Sequence, residues 1–143
     1  MNNNMGKVLT TVTITNRADQ IRAEESIILE EEIRTITLNN MLVDTGATML
    51  CLPSELVTQL GLKFLREVDV STASGLKKAR IFRDAVLSLY DREGTFECLE
   101  LPGGTEPLLG VIPLEALGLE LDLQKQQVRV LPMGPSKTYL TIL

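Results

Sequence analysis

From Val8 to Thr15 the chain alternates, with Val8, Thr10, Val12 and Ile14 on one side and Leu9, Thr11, Thr13 and Thr15 on the other. That period of two, rich in β-branched residues, predicts a strand. Asn16-Arg17-Ala18-Asp19 reads as a turn. Ser26 to Leu29 and Glu32 to Leu38 predict further strands, with the acidic run Glu30-Glu31-Glu32 as a solvated patch between them. Asn39-Asn40 is a turn signal, and Met41 to Val43 is a short strand running straight into Asp44. Thr48 to Leu52 is apolar enough for a return strand. Pro53-Ser54-Glu55 opens a helix whose apolar face is Leu56, Val57 and Leu60 and which Gly61 ends. Val68 to Ser71, Ala79 to Phe82, Ala85 to Tyr90 and Thr95 to Leu101 predict four strands, the first two joined by the small, polar hairpin tip Ser71 to Lys78. Pro102-Gly103-Gly104 turns the chain, Pro113 to Gly118 predicts a second helix, and Gln127 to Leu131 a late strand. Tyr139 to Leu143 has the composition of a terminal strand. The expectation is a mainly all-β chain with two short helices, a single domain over residues 1–143 without repeats or linkers.

Composition narrows the chemistry. At 143 residues, 44% apolar and 23% charged, the chain has the makeup of one soluble globular domain. Its net charge of -5 argues against nucleic acid as the main partner, since phosphate binding needs a basic surface. The apolar stretches are too short to span a bilayer, so no membrane is expected. Met1-Asn2-Asn3-Asn4 is polar with no apolar signal region behind it, and the expected location is cytoplasmic. Two cysteines form no disulfide framework and are expected to be reduced. There is no histidine, which removes Ser-His-Asp and Cys-His catalysis and most zinc sites. No glycine-rich phosphate loop is present, and Cys51, inside Met49-Leu50-Cys51-Leu52, reads as core packing rather than a nucleophile. Chemistry is left to carboxylates, hydroxyls, lysines and backbone groups, with no metal and no organic cofactor implied.

Against that background Leu42-Val43-Asp44-Thr45-Gly46-Ala47-Thr48 stands out. A carboxylate at the end of an apolar run is costly to bury without partners. It reads either as an Asx-turn between two strands or as a catalytic carboxylate on a tight loop at the mouth of a cleft. Two other features follow in order: a hairpin with Gly75 near its tip, and Leu108-Leu109-Gly110 leading into a helix.

This order resembles the retropepsin-like aspartic proteases, the half-size relatives of pepsin, over roughly Val8 to Leu131. The stretches LVDTGATMLCLPSELVTQLGL and LLGVIPLEALGLELD are especially similar to the small bacterial and archaeal members. The resemblance implies a closed β-barrel of half-pepsin type, homodimeric, with Asp44 as the catalytic carboxylate. It implies that the Thr45 hydroxyl bonds across to the other half of the active site, that Gly46 permits close backbone approach, and that Ala47 lines the cleft. It implies further that Leu108, Leu109 and Gly110 support the loop from behind and that Ala73, Ser74 and Gly75 belong to a flap over the substrate. Two departures stand against the retroviral pattern. Val111-Ile112-Pro113 follows Gly110 where viral enzymes usually carry an arginine, and the flap tip is not strongly glycine-rich.

Carboxylate hydrolysis of a peptide needs two such groups, one ionised to take a proton from water and one protonated to polarise the carbonyl. Two neighbouring carboxylates share a proton because both cannot ionise cheaply. Only one Asp-Thr-Gly and no Asp-Ser-Gly is present; Asp19, Asp69, Asp84, Asp91 and Asp122 read as turn or surface residues. The expected assembly is therefore a two-fold homodimer, Asp44 meeting its mate at the axis, with an extended polypeptide paired to flap and floor. Lys137 to Leu143 is expected either to pair at the dimer interface or to form an edge strand within one subunit. The alternatives to an aspartic endopeptidase are a non-catalytic peptide-binding or dimerisation module of the same fold, and an unrelated small barrel in which Asp44 caps a turn.

Overall fold

The computed structural model describes residues 7–101, 106–134 and 136–142. Nine strands and three short α-helices follow in the order β1 (Val8–Asn16), α1 (Arg17–Glu24), β2 (Thr35–Val43), β3 (Leu50–Pro53), α2 (Ser54–Leu60), β4 (Lys63–Thr72), β5 (Gly75–Leu89), β6 (Arg92–Leu101), β7 (Leu108–Leu109), α3 (Val111–Ala116), β8 (Leu119–Asp122) and β9 (Gln127–Val130). Seven strands form one sheet in the order β1-β2-β7-β3-β6-β5-β4, and β8 pairs with β9 alone.

The large sheet closes on itself through β5. Its first half pairs with β4 from Gly75 to Arg83, and its second half pairs with β1 from Ala85 to Ser88. The strand changes partners at a bulge between Phe82 and Ala85, where Asp84 takes a left-handed φ of 65°. A bulge bends the strand and increases its twist, which is what closure of a barrel requires.

Register sorts the side chains into two rows. Val8, Val43, Leu109, Leu50, Cys98 and Phe82 are successive partners across six strands, and all lie in the buried core. One position along, Leu9, Leu42, Leu108, Cys51, Leu99 and Ile81 are partners in the same way and face outward. Successive residues of a strand point to opposite faces, so one row fills the barrel while its neighbour floors whatever lies outside.

Several expectations are corrected. Asn16-Arg17-Ala18-Asp19 is the start of α1, not a simple turn: the Asn16 side chain caps the helix by accepting from the Asp19 amide at 2.9 Å. Asp19 is buried at 2% exposure, not a surface residue. Ser26 to Leu29 forms no strand. Ser26 adopts φ 60°, and Glu32 accepts from the Leu29 amide at 2.8 Å across a 3-10 turn, Glu30–Glu32. Asn39-Asn40 marks a break of a different kind, a bulge inside one continuous strand, because Thr10 pairs Met41 and Val12 pairs Leu38, leaving two residues opposite Thr11. The helices number three among the described residues, not two, and β8 is an additional strand. Tyr139 to Ile142 is not in a strand, and Pro102-Gly103-Gly104 and Leu143 lie outside the described residues. The expected helices are present as α2, ended by Gly61 in the left-handed conformation, and α3, which begins two residues earlier than expected.

Candidate active site

Asp44 is the first residue after β2, and the main chain holds it from behind. Its amide donates to the Leu109 carbonyl at 3.0 Å, and its own carbonyl accepts from the Ala47 amide at 3.0 Å. Its Oδ1 accepts from the Gly46 amide at 2.8 Å. The Asx-turn is therefore real, and it folds the carboxylate over its own loop. A Cβ at Gly46 would lie 3.1 Å from that oxygen, so any side chain there crowds the carboxylate. Asp44 is half-buried, while Thr45 and Gly46 face solvent at the loop's outer edge.

β7 is the wedge that fixes this loop. Leu108 and Leu109 pair in parallel with Leu42 and Val43 and antiparallel with Cys51 and Leu50. Two residues thus tie together the strand entering the loop and the strand leaving it. Leu109 is wholly buried, and Leu108 faces the cleft. Beyond them the Gly110 amide donates to Met49 O at 2.9 Å, Val111 to Ala47 O at 2.9 Å and Ile112 to Thr48 O at 3.0 Å. A Cβ at Gly110 would stand 2.5 Å from the Met49 backbone nitrogen and oxygen, closer than any real side chain approaches. Glycine is needed here for contact, not for its dihedral angles, since Gly110 has φ -85°.

A cleft of about 720 Å3 opens beside the carboxylate. Its floor is the outward row, with Leu108, Cys51, Leu99 and Ile81, and its near end is Asp44, Gly46 and Ala47. Val68, Asp69, Val70, Ser71, Thr72 and Ala73 of the β4–β5 hairpin form the opposite wall. The hairpin tip keeps Ala73 and Ser74 at negative φ and places the left-handed turn on Gly75, φ 105°. Thr72 Oγ1 locks it, accepting from the Ser74 amide at 3.2 Å and donating to Gly75 O at 2.6 Å. A smaller hollow of about 410 Å3 adjoins the cleft, sharing Val70, Thr72, Leu99 and Leu101 but not touching Asp44.

Of the residues anticipated for the site, Asp44, Gly46, Ala47, Leu108 and Ala73 line this one cleft. Leu109 and Gly110 stand behind it, Thr45 lies outside it at the surface, and Ser74 and Gly75 form the hairpin tip. The cleft's floor and far wall hold residues that the sequence did not single out for the site. Cys51 is buried but belongs to the floor rather than the core, because Leu50 and Leu52 on either side take the inward positions. Burial first, and the nearby Asp44 charge second, push its thiol up to about 11, which leaves it a poor nucleophile. Asp69 is exposed, as expected, and it also lines the cleft, where it pairs with Lys78 at 3.1 Å. The alternation of Val68 and Val70 around it was the available signal. Among the described residues no group of three or more metal-ligating side chains occurs.

A barrel with a loop carboxylate held by a crossing Leu-Leu-Gly element and faced by a hairpin defines an aspartyl-protease half. Residues 32–116 match the family described as "gag-polyprotein putative aspartyl protease", and the chain belongs to this retropepsin-like family. Among solved structures the fold is similar to that of EIAV protease complexed with the inhibitor HBY-793. The TM-score is 0.54 and the identity 17%, over 85% of this chain and 98% of that one. At that identity the likeness is one of fold. No curated protein matches the chain.

Proposed function

We propose that the protein is an aspartic endopeptidase that cleaves extended polypeptides with water held between two Asp44 carboxylates, one from each subunit of a homodimer. The observation that carries this is the solitary carboxylate. Asp44 is the one carboxylate on the loop side of the cleft; the other lining carboxylate among the described residues, Asp69, lies on the facing hairpin in an exposed pair with Lys78, which supports a second Asp44 as the partner of the dyad. The exposed edge of the same loop, Thr45 and Gly46, is the surface free to meet a second copy. A two-fold contact there is self-complementary and brings each Asp44 to the other.

In this mechanism the ionised Asp44 takes a proton from water as it attacks the carbonyl, and the protonated Asp44 donates a hydrogen bond to the carbonyl oxygen. Thr45 locks the paired loops, Gly46 and Ala47 give the substrate backbone room, and the hairpin tip Ala73-Ser74-Gly75 closes over it. The apolar floor receives the substrate's side chains while its backbone adds to exposed strand edges.

The test is incubation with acid-denatured, fluorescein-labelled casein across acidic pH, beside Asp44→Asn. Cleavage by the wild type should fall at least about a thousandfold in the variant. Cleavage that survives the substitution removes Asp44 from the chemistry. Binding of casein without cleavage in the wild type would instead identify a non-catalytic peptide-binding module.

A further inference from the structure

Arg92 opens β6, and the fold buries it to 5% exposure. Among the described residues it has no carboxylate partner. Its Nη1 donates to the Leu117 carbonyl at 2.7 Å and reaches Gly118 O at 3.5 Å, and its Nη2 donates to Leu131 O. The guanidinium carbon lies 5.2 Å from the centre of the Tyr139 ring, a cation–π arrangement that shields it from water. Gly118 sits at φ 66°, and a Cβ on it would fall 2.6 Å from Arg92 Nη1. Bare backbone is what lets the guanidinium in. A buried cation without an anion is costly, and this one is aimed at the Leu117 carbonyl at the end of α3 and the Leu131 carbonyl at the exit of β9.

The other end of α3 is the site. Gly110, Val111 and Ile112 donate to the carbonyls of Met49, Ala47 and Thr48, the residues that follow Asp44 around its loop. The helix between spans six residues, roughly 9 Å. It is a short strut, seated on the Asp44 loop at its start and clamped by Arg92 just past its end. The same guanidinium ties that end to the exit of β9, where the Leu131 amide donates to Gly118 O at 2.9 Å.

We infer that Arg92 is a positioning residue for Asp44: by immobilising α3 it holds the Ala47–Met49 backbone, and with it the geometry of the carboxylate loop. This rests on Asp44 being the catalytic carboxylate. Arg92 touches neither substrate nor reacting atoms; it acts through the strut.

Arg92→Met and Arg92→Lys test it by two independent readouts. In Arg92→Met the amides of Gly110, Val111 and Ile112 should exchange hydrogen about tenfold faster or more, while amides of the half of β5 that pairs with β4 are unchanged. With labelled casein, kcat should fall about tenfold or more and KM should stay within about twofold, the pattern of a misplaced catalytic group. Arg92→Lys, with one donor group in place of a fork, should restore part of both. Unchanged exchange at those three amides, in whichever variant folds, overturns the proposal. So does a uniform rise over all amides, which marks a general loss of stability. If the wild-type protein cleaves nothing, the endopeptidase reading fails, and the exchange measurement still decides what Arg92 holds.

Discussion

Gly110 is the position where one atom matters most to stability. Its Cβ would have to occupy the space of the Met49 backbone, and backbone cannot rotate away as a side chain can. Gly110→Ala should cost about 3 kcal/mol in urea unfolding and displace the Asp44 loop, with proteolysis lost in proportion. Asp19 is the other decisive residue. Arg34 donates to it from Nε at 2.8 Å, from Nη2 at 2.9 Å and from its main-chain amide at 3.0 Å, and Arg22 adds a bond at 3.1 Å. The Arg34 hydrogen bond, opposed by burial, holds the Asp19 carboxyl down at about 2 from an ordinary 3.8. A depressed folded-state value means the stabilisation is complete above about pH 3.8 and is lost as pH falls through about 2. Asp19→Asn should therefore lose about 2 kcal/mol at pH 6, with the difference from wild type shrinking below about pH 4. Urea titrations at several pH values check both sign and window.

Helix α1 shows how a small element depends on such a residue. It carries no apolar stripe: its one buried side chain is Asp19, so tertiary ion pairing rather than hydrophobic burial docks it. The β4–β5 hairpin depends on its turn instead. Gly75 has φ 105°, and no atom lies within 4 Å of where its Cβ would stand, so strain and not collision opposes a side chain. Gly75→Ala should cost about 1–2 kcal/mol locally, seen as faster amide exchange in the hairpin with the barrel unchanged. In an active endopeptidase it should also slow turnover, because the hairpin forms one wall of the cleft.

For the molecule as a whole, the decisive question is whether the proposed active site needs two chains. Mixing wild type with an equal amount of Asp44→Asn and allowing exchange should leave about a quarter of dimers with both carboxylates. Activity per wild-type chain should then halve, whereas a self-sufficient monomer would show no change. Specific activity should also fall on dilution, in step with dissociation followed by sedimentation.

The Asp44 loop, the Leu108-Leu109-Gly110 support, the hairpin and both helices flanking the site were legible along the chain. They are legible because each depends on local chemistry: a carboxylate after an apolar run, a glycine where backbones meet, a small polar tip between alternating strands. Helix α1 was not: Asn16 is a good cap and Arg, Ala, Gln and Glu are good helix formers, but the segment has no apolar stripe, and its docking depends on Arg34, fifteen residues past Asp19. The role of Cys51 was hidden for the same kind of reason. An apolar run has two faces, and which of them floors a cleft depends on pairings with β6 and β7 that are far away in sequence. Patterning thus named most of the strands and singled out the Asp44 loop. Closure of the barrel through β5, and the burial of Asp19 and Arg92, came from contacts between distant segments, where burial and charge pairing outweigh local propensity.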